Sequence, residues 1–214
     1  QDKAAHDLLS DFISHLVTLW ILMGGGLAWQ WQQAGVLSAK ISLRFLSPEI
    51  NQSLWLAGIS LLISTVTSLP LSIYSTFWIE QRHGFNQTTW STFIGDTVKT
   101  LGLTVVIGAP MVAGLIGVIR WAGSWFYVAA WLLMMSIQLF MIVIYPLVIM
   151  PLFNKFEALP EGELKEAIEA LAARLSFPLT KLYVMDGSRR SSHSNAFFFG
   201  LFKDKRIVLF DTLI

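Results

Sequence analysis

The sequence contains no cysteine. Disulfides and thiolate metal ligands are therefore excluded. Charge is also scarce: charged residues make up 14% of the chain, against about 25% in an ordinary soluble domain. The net charge of +1 makes no case for a nucleic-acid partner. Histidine occurs only at positions 6, 15, 83 and 193. No two are four apart, the spacing at which a helix offers a zinc pair. His193 has no acidic neighbour in sequence, and no nucleophile-elbow pattern surrounds Ser191 or Ser192. No internal repeat, low-complexity tract or secretory signal pattern is present. The first residue is Gln1 rather than Met, so the chain reads as a piece of something longer.

Apolar residues are plentiful. They make up 54% of the chain, and mean hydropathy is +0.59. A spanning helix needs about 20 apolar residues to cross a hydrocarbon core of about 30 Å. Four runs free of Lys, Arg, Asp and Glu meet that length: Phe12–Ala39, Asn51–Ile79, Leu101–Ile119 and Trp121–Asn154. They predict spans over about 12–31, 53–78, 98–119 and 123–150, the first interrupted by Gly24, Gly25 and Gly26. Tryptophans near the run ends (Trp20, Trp29, Trp31, Trp55, Trp78, Trp121, Trp125) suit the lipid–water interface. Basic residues fall on both sides, so charge counting leaves the orientation open. Pro70 and Pro110 lie inside spans and predict kinks. The hydroxyl-rich second span predicts Ser and Thr side chains bonded to their own helix, with a wet interior face as the alternative. Gly84 predicts a left-handed residue closing that span. The tripeptides at Asn51 and Asn86 fit the glycosylation pattern, a common chance match.

Charge density rises after Pro151: residues 1–150 hold six basic and six acidic side chains, the remainder nine and eight. The chain divides there into a membrane region, 1–150, and a polar segment, 151–214. In the polar segment Leu164, Ile168, Leu171 and Leu175 recur at helical spacing, and Pro178 ends the helix. "KLYVM", "SNAFFF" and "RIVLF" read as three strands of a small sheet, the last two an antiparallel hairpin. Two readings of "SNAFFF" stand on the residues alone. It is an edge strand able to pair with an extended peptide, or it is a core hairpin in which Asn195 satisfies its own turn.

"GSRRSSHSNAFFFGLFKDKRIVLFDTLI", residues 187–214, resembles the segment before the zinc motif of type I CAAX prenyl endopeptidases, membrane metallopeptidases of the gluzincin kind. "PLFNKFEALPEGELKEAIEALAARLSFPLTKLYVMDGS" and "SLPLSIYSTFWIEQRHGFNQTT" resemble stretches upstream of it in the same order. The likeness implies a mainly α membrane protein. Four transmembrane helices precede a small α/β segment, a helix plus an antiparallel β-hairpin, that begins a cytosolic zinc-peptidase domain. It implies a helical barrel around a chamber and one zinc ion held by an H-E-x-x-H helix and a further Glu, all beyond Ile214. The Glu inside that motif would activate a water. A further span is implied before Gln1, so the chain would be a cleaved product, a truncated form, or half of an enzyme completed by a second chain.

In that frame Ser194, Asn195, Ala196 and Phe197 bind and align the substrate backbone, with Phe197 standing where the family usually has tyrosine. Arg189 and Arg190 face either anionic headgroups, a downstream acidic group, or simply solvent. No catalytic residue or metal ligand is expected in this chain, which alone would be inactive. The implied partners are a peptide or prenylated protein substrate, the lipid bilayer, and the rest of the enzyme; no nucleic acid is expected. The implied location is the endoplasmic reticulum membrane of a eukaryote or the inner membrane of a bacterium, with the polar domain facing the cytosol. A broad-specificity quality-control metalloprotease and a non-catalytic membrane scaffold are the alternatives.

Overall fold

The computed structural model describes every residue except Gln1, Ser194, Leu201 and Phe202. Two compact units are formed, residues 1–82 with 97–135, and residues 83–96 with 136–214.

The first unit is helical. Helices α1 (Asp2–Met23) and α2 (Gly26–Lys40) are bent by 71° at the three-glycine break. Gly25 adopts φ +77°, a conformation that only glycine visits freely. A β-carbon on Gly24 would lie 2.9 Å from the Trp20 carbonyl oxygen, and one on Gly26 would lie 2.8 Å from Ile21 Cα. The bend thus requires glycines, and the first predicted span is not one straight helix but falls across a bent pair. Helix α3 (Pro48–Tyr74) starts at Ser47, whose hydroxyl accepts the Ile50 amide, with Pro48 and Glu49 favourable in the first turn. It continues into a π-helical turn, Ser75–Glu80. Thr65 and Thr67 donate to Leu61 and Ile63 carbonyls of their own helix, whereas Ser60 donates to the buried Gln30 of α2 at 2.7 Å. Gly84 is left-handed at φ +75°, as its place after Arg82 and His83 predicts.

Helix α4 (Trp90–Ala122) and helix α5 (Phe126–Ile144) lie in one helical stretch of 64 residues. A straight rod of that length would measure about 96 Å, far beyond a bilayer. It is not straight. Gly123 sits at φ +53°, and Leu133 of α5 packs against Gly114 of α4, 3.8 Å from where a β-carbon would stand. Residues 19 apart on one helix would be nearly 30 Å apart, so the chain doubles back at Gly123. Among the described residues, Pro48–Glu80 and Trp90–Phe153 are the stretches long and apolar enough to cross a membrane, and the bent pair α1–α2 qualifies only when taken together. With the Gly123 reversal, the second stretch supplies two helices, α4 and α5, rather than one continuous rod.

In the second unit α5 passes through a π turn, Tyr145–Ile149, into α6 (Met150–Phe153). Pro146 lies in the π turn and Pro151 in the first turn of α6; neither has an amide to donate to the helix. The sheet has four strands in the order β1 (Phe156–Ala158), β2 (Leu179–Met185), β4 (Lys205–Phe210), β3 (Ala196–Phe199). The β3–β4 hairpin is antiparallel as predicted, but β2 and β4 run parallel. Strand β1 was not foreseen: three residues carry no alternation signal, and its place is set by pairing with β2. Helix α7 (Glu163–Arg174) provides the β1-to-β2 connection. Leu159, Leu182 and Leu209 form the core, flanked by Ile168. The apolar stripe of α7 is only partly used. Ala172 is buried, but Leu164, Leu171 and Leu175 are exposed, because the helix is rolled toward its Ile168–Ala172 side.

Candidate functional site

Strand β3 lies at the end of the sheet order, so one of its edges has no partner strand among the described residues. Its register sets Ala196 opposite Leu209 and Phe197 opposite Val208. The Phe210 amide donates to the Asn195 carbonyl at 3.0 Å. Hydrogen-bonded and non-bonded pairs alternate in an antiparallel ladder. The backbone groups of Ala196 and Phe198 therefore point away from β4, toward the open edge. The Asn195 side chain covers the first of these: its Oδ1 accepts the Ala196 amide at 2.8 Å. Asn195 and Ala196 are exposed and Phe197 is half-buried. Ser194 lies outside the described residues.

The alternation of β3 sorts its phenylalanines. Phe198 packs edge-on against Phe177 at 5.7 Å between centroids. Phe197 and Phe199 turn to the other face, where they line an open apolar cavity of about 600 Å³ with Met141, Ile142, Tyr145 and Pro146. An extended backbone edge thus borders an apolar hollow.

The loop feeding β3 is fixed by two residues whose roles the sequence did not reveal. Asp211 accepts the Ser188 amide at 2.8 Å and the Ser188 hydroxyl. Burial pushes the Asp211 carboxyl up, but the Ser188 hydroxyl and amide, with the amides of Thr212 and Asp211, outweigh it and hold the carboxyl below its ordinary value. Arg190 is not a solvated arginine. Its Nε donates to Asp96 Oδ2 at 2.8 Å, Nη1 to Asn154 Oδ1 at 2.7 Å, and Nη2 to the Phe153 carbonyl at 2.7 Å. Arg189 pairs with Asp186 at 3.3 Å. The Ser191 hydroxyl accepts the His193 amide at 3.1 Å, and the His193 ring stacks on Phe85 at 4.4 Å. Ser191 Oγ also stands 3.3 Å from His193 Nδ1, but among the described residues no acidic side chain bonds the ring, so no triad is completed. Asn86 is buried and bonds within its own turn to Thr88, while Asn51 holds the carbonyls of Leu43, Leu46 and Ser47. Both asparagines of the glycosylation-like tripeptides are thus structural.

Among the described residues, no three His, Asp or Glu side chains are grouped to hold a metal ion. The described residues therefore offer no ligand set for a zinc ion.

Residues 1–155 match the family model described as "CAAX prenyl protease N-terminal, five membrane helices", and residues 158–214 match "Peptidase family M48". The chain belongs to the CAAX prenyl protease family of M48 peptidases. It is 46% identical to a CAAX prenyl protease 1 homolog of Oryza sativa subsp. japonica, aligning over 100% of this chain and 50% of that protein. The corresponding human homolog is 44% identical over 100% of this chain and 45% of its own length. The crystal structure of S. mikatae Ste24p superposes with a TM-score of 0.90 at 41% identity, covering 99% of this chain and 49% of that one. The chain spans about half the length of the curated relatives it matches. M48 peptidases are generally zinc-dependent, and this chain matches the family's N-terminal membrane region and part of its peptidase segment.

Proposed function

We propose that the complete protein is a membrane-embedded zinc endopeptidase that cleaves prenylated C-terminal CAAX peptides. In this reading residues 1–150 supply transmembrane walls of its chamber, and residues 151–214 open its catalytic domain. Zinc and its ligands belong to the part of the protein outside this chain. The chain itself contributes the edge that holds the substrate: Ser194, Asn195, Ala196 and Phe197 align the peptide backbone, and the hollow beside Phe197 and Phe199 takes apolar groups of the substrate. The protein resides in the endoplasmic reticulum membrane of a eukaryote or the inner membrane of a bacterium, with its polar domain facing the cytosol.

The observation carrying this reading is the open edge of β3 beside an apolar cavity. An extended peptide gains main-chain hydrogen bonds along such an edge and places alternate side chains in the hollow. The test uses the complete protein in liposomes, with a farnesylated CAAX peptide and its unprenylated counterpart. Chelator-sensitive, zinc-restored cleavage that prefers the farnesylated peptide is expected. Equal cleavage of both would instead favour a broad quality-control protease, and no cleavage of either would overturn the peptidase reading.

A further inference from the structure

We infer that Arg190 is a positioning residue for peptide cleavage, holding the substrate-aligning edge in place from the ends of the membrane helices; this rests on the edge-strand reading of β3 proposed above. Four observations within the second unit carry it. First, the guanidinium is engaged on all three nitrogens, by groups from two helical segments and the residue after the second. Nε and Nη2 stand 2.8 and 2.7 Å from the same Asp96 oxygen on α4. Nη1 reaches Asn154, and Nη2 also reaches the carbonyl of Phe153, the last residue of α6. Helix-terminal carbonyls lack partners within the helix and carry the negative end of its dipole, so a cation is well placed there. Second, the contact is sheltered: the Arg190 and Asp96 side chains are 28% and 24% exposed.

Third, the Arg190 backbone is held as firmly as its side chain. Its carbonyl accepts the Gln87 amide at 3.1 Å and the Thr88 hydroxyl at 3.3 Å. Ser191 forms a bridge with Asn86, and the Ser192 amide donates to the Phe85 carbonyl at 3.2 Å. The loop is therefore zipped onto the segment after the second membrane span. Fourth, Arg190 stands five positions before Asn195. An extended chain covers about 3.5 Å per residue, so Asn195 is leashed within roughly 17 Å of this anchor. Arginine alone among side chains offers a planar fork that can serve several acceptors at once; lysine is a point charge on a flexible stem. Loosening the anchor would let the edge drift, and a displacement of about 1 Å can cost up to about 100-fold in rate.

The experiment uses the complete protein, purified in detergent, with zinc content and thermal midpoint measured on every sample. Arg190→Gln is expected to lower kcat/KM for the farnesylated peptide by roughly 10- to 100-fold per zinc-loaded molecule, chiefly through a raised KM. Arg190→Lys is expected to recover only part of that loss. Asp96→Asn is expected to give a smaller loss, and Arg190→Gln with Asp96→Asn together to be little worse than Arg190→Gln alone, because the two residues share one interaction. Should Arg190→Gln fail to accumulate, Arg190→Lys and Asp96→Asn carry the same comparison. Unchanged kcat/KM per zinc-loaded molecule would overturn the inference, as would full recovery by lysine. Asn195→Ala is measured in parallel: a loss there with none at Arg190 sinks only this inference, whereas a silent Asn195→Ala removes the edge-strand reading on which it rests.

Discussion

Gly187 lies flat against Phe210. A β-carbon on Gly187 would come within 2.6 Å of the ring's Cδ2, 3.0 Å of Cγ and 3.3 Å of Cβ. The near atoms belong to the base of the side chain, so the ring cannot swing clear without moving strand β4. Gly187→Ala is therefore an overpacking substitution, which typically costs about 1–3 kcal/mol. A lowered thermal midpoint of the detergent-solubilised protein is expected, together with faster hydrogen exchange of the β4 amides. A midpoint equal to wild type would show that the loop has room the geometry denies.

Ser176 gives the opposite sign. It sits at φ +53° after α7, in a cap where the Phe177 amide returns to the Ala172 carbonyl and the Ser176 amide to Ala173. That position favours glycine, because a β-carbon in left-handed backbone costs roughly 1–2 kcal/mol. Ser176→Gly should stabilise the polar segment by about 1 kcal/mol, after allowance for the looser unfolded chain. Denaturant unfolding of the two proteins checks it, and a destabilised variant would mean the serine hydroxyl matters more than the strain.

Asp211 supplies a pH signature. Its carboxyl is held below its ordinary value, with burial opposing and the Ser188 hydroxyl and amide prevailing. A carboxyl depressed in the folded state contributes stability above its unfolded pKa, about 3.9. That contribution disappears as pH falls through the lower folded value. Asp211→Asn should therefore lower the thermal midpoint near neutral pH, and the gap to wild type should close below about pH 4. A gap that stays constant into acid would assign the loss to shape rather than charge.

What the sequence disclosed follows the strength of each local signal. Long uncharged runs announced α3, α4 and α5, and Gly84 announced its left-handed turn, because single-residue chemistry decides both. The bend of α1 against α2 was visible only as three glycines; its 71° depends on how close Trp20 and Ile21 come. The hairpin of β3 and β4 showed in its alternating apolar runs. β1 did not, since a three-residue strand exists only through its partner β2. The α7 stripe predicted one apolar face, and of that helix the small core takes in Ile168 and Ala172 while Leu171 stays exposed. The largest misreading was Arg190. In sequence it is one of two adjacent arginines in a polar loop. Its partners Asp96 and Asn154 lie 94 and 36 positions away, and no local pattern links them.

The most direct test of the edge-strand account is Asn195→Ala in the complete protein, with steady-state kinetics on the farnesylated peptide, zinc content and thermal midpoint measured together. Asn195 Oδ1 covers the Ala196 amide at the open edge, and substrate pairing there requires the asparagine to turn outward and bond the peptide. Alanine removes that partner while emptying little volume. Once bound substrate covers this exposed edge, loss of a hydrogen bond there costs about 1–3 kcal/mol, which is roughly a 5- to 150-fold fall in kcat/KM. The account predicts that fall with zinc content and midpoint preserved. A lowered midpoint with kcat/KM per zinc-loaded molecule unchanged would contradict it and return Asn195 to a turn-closing role.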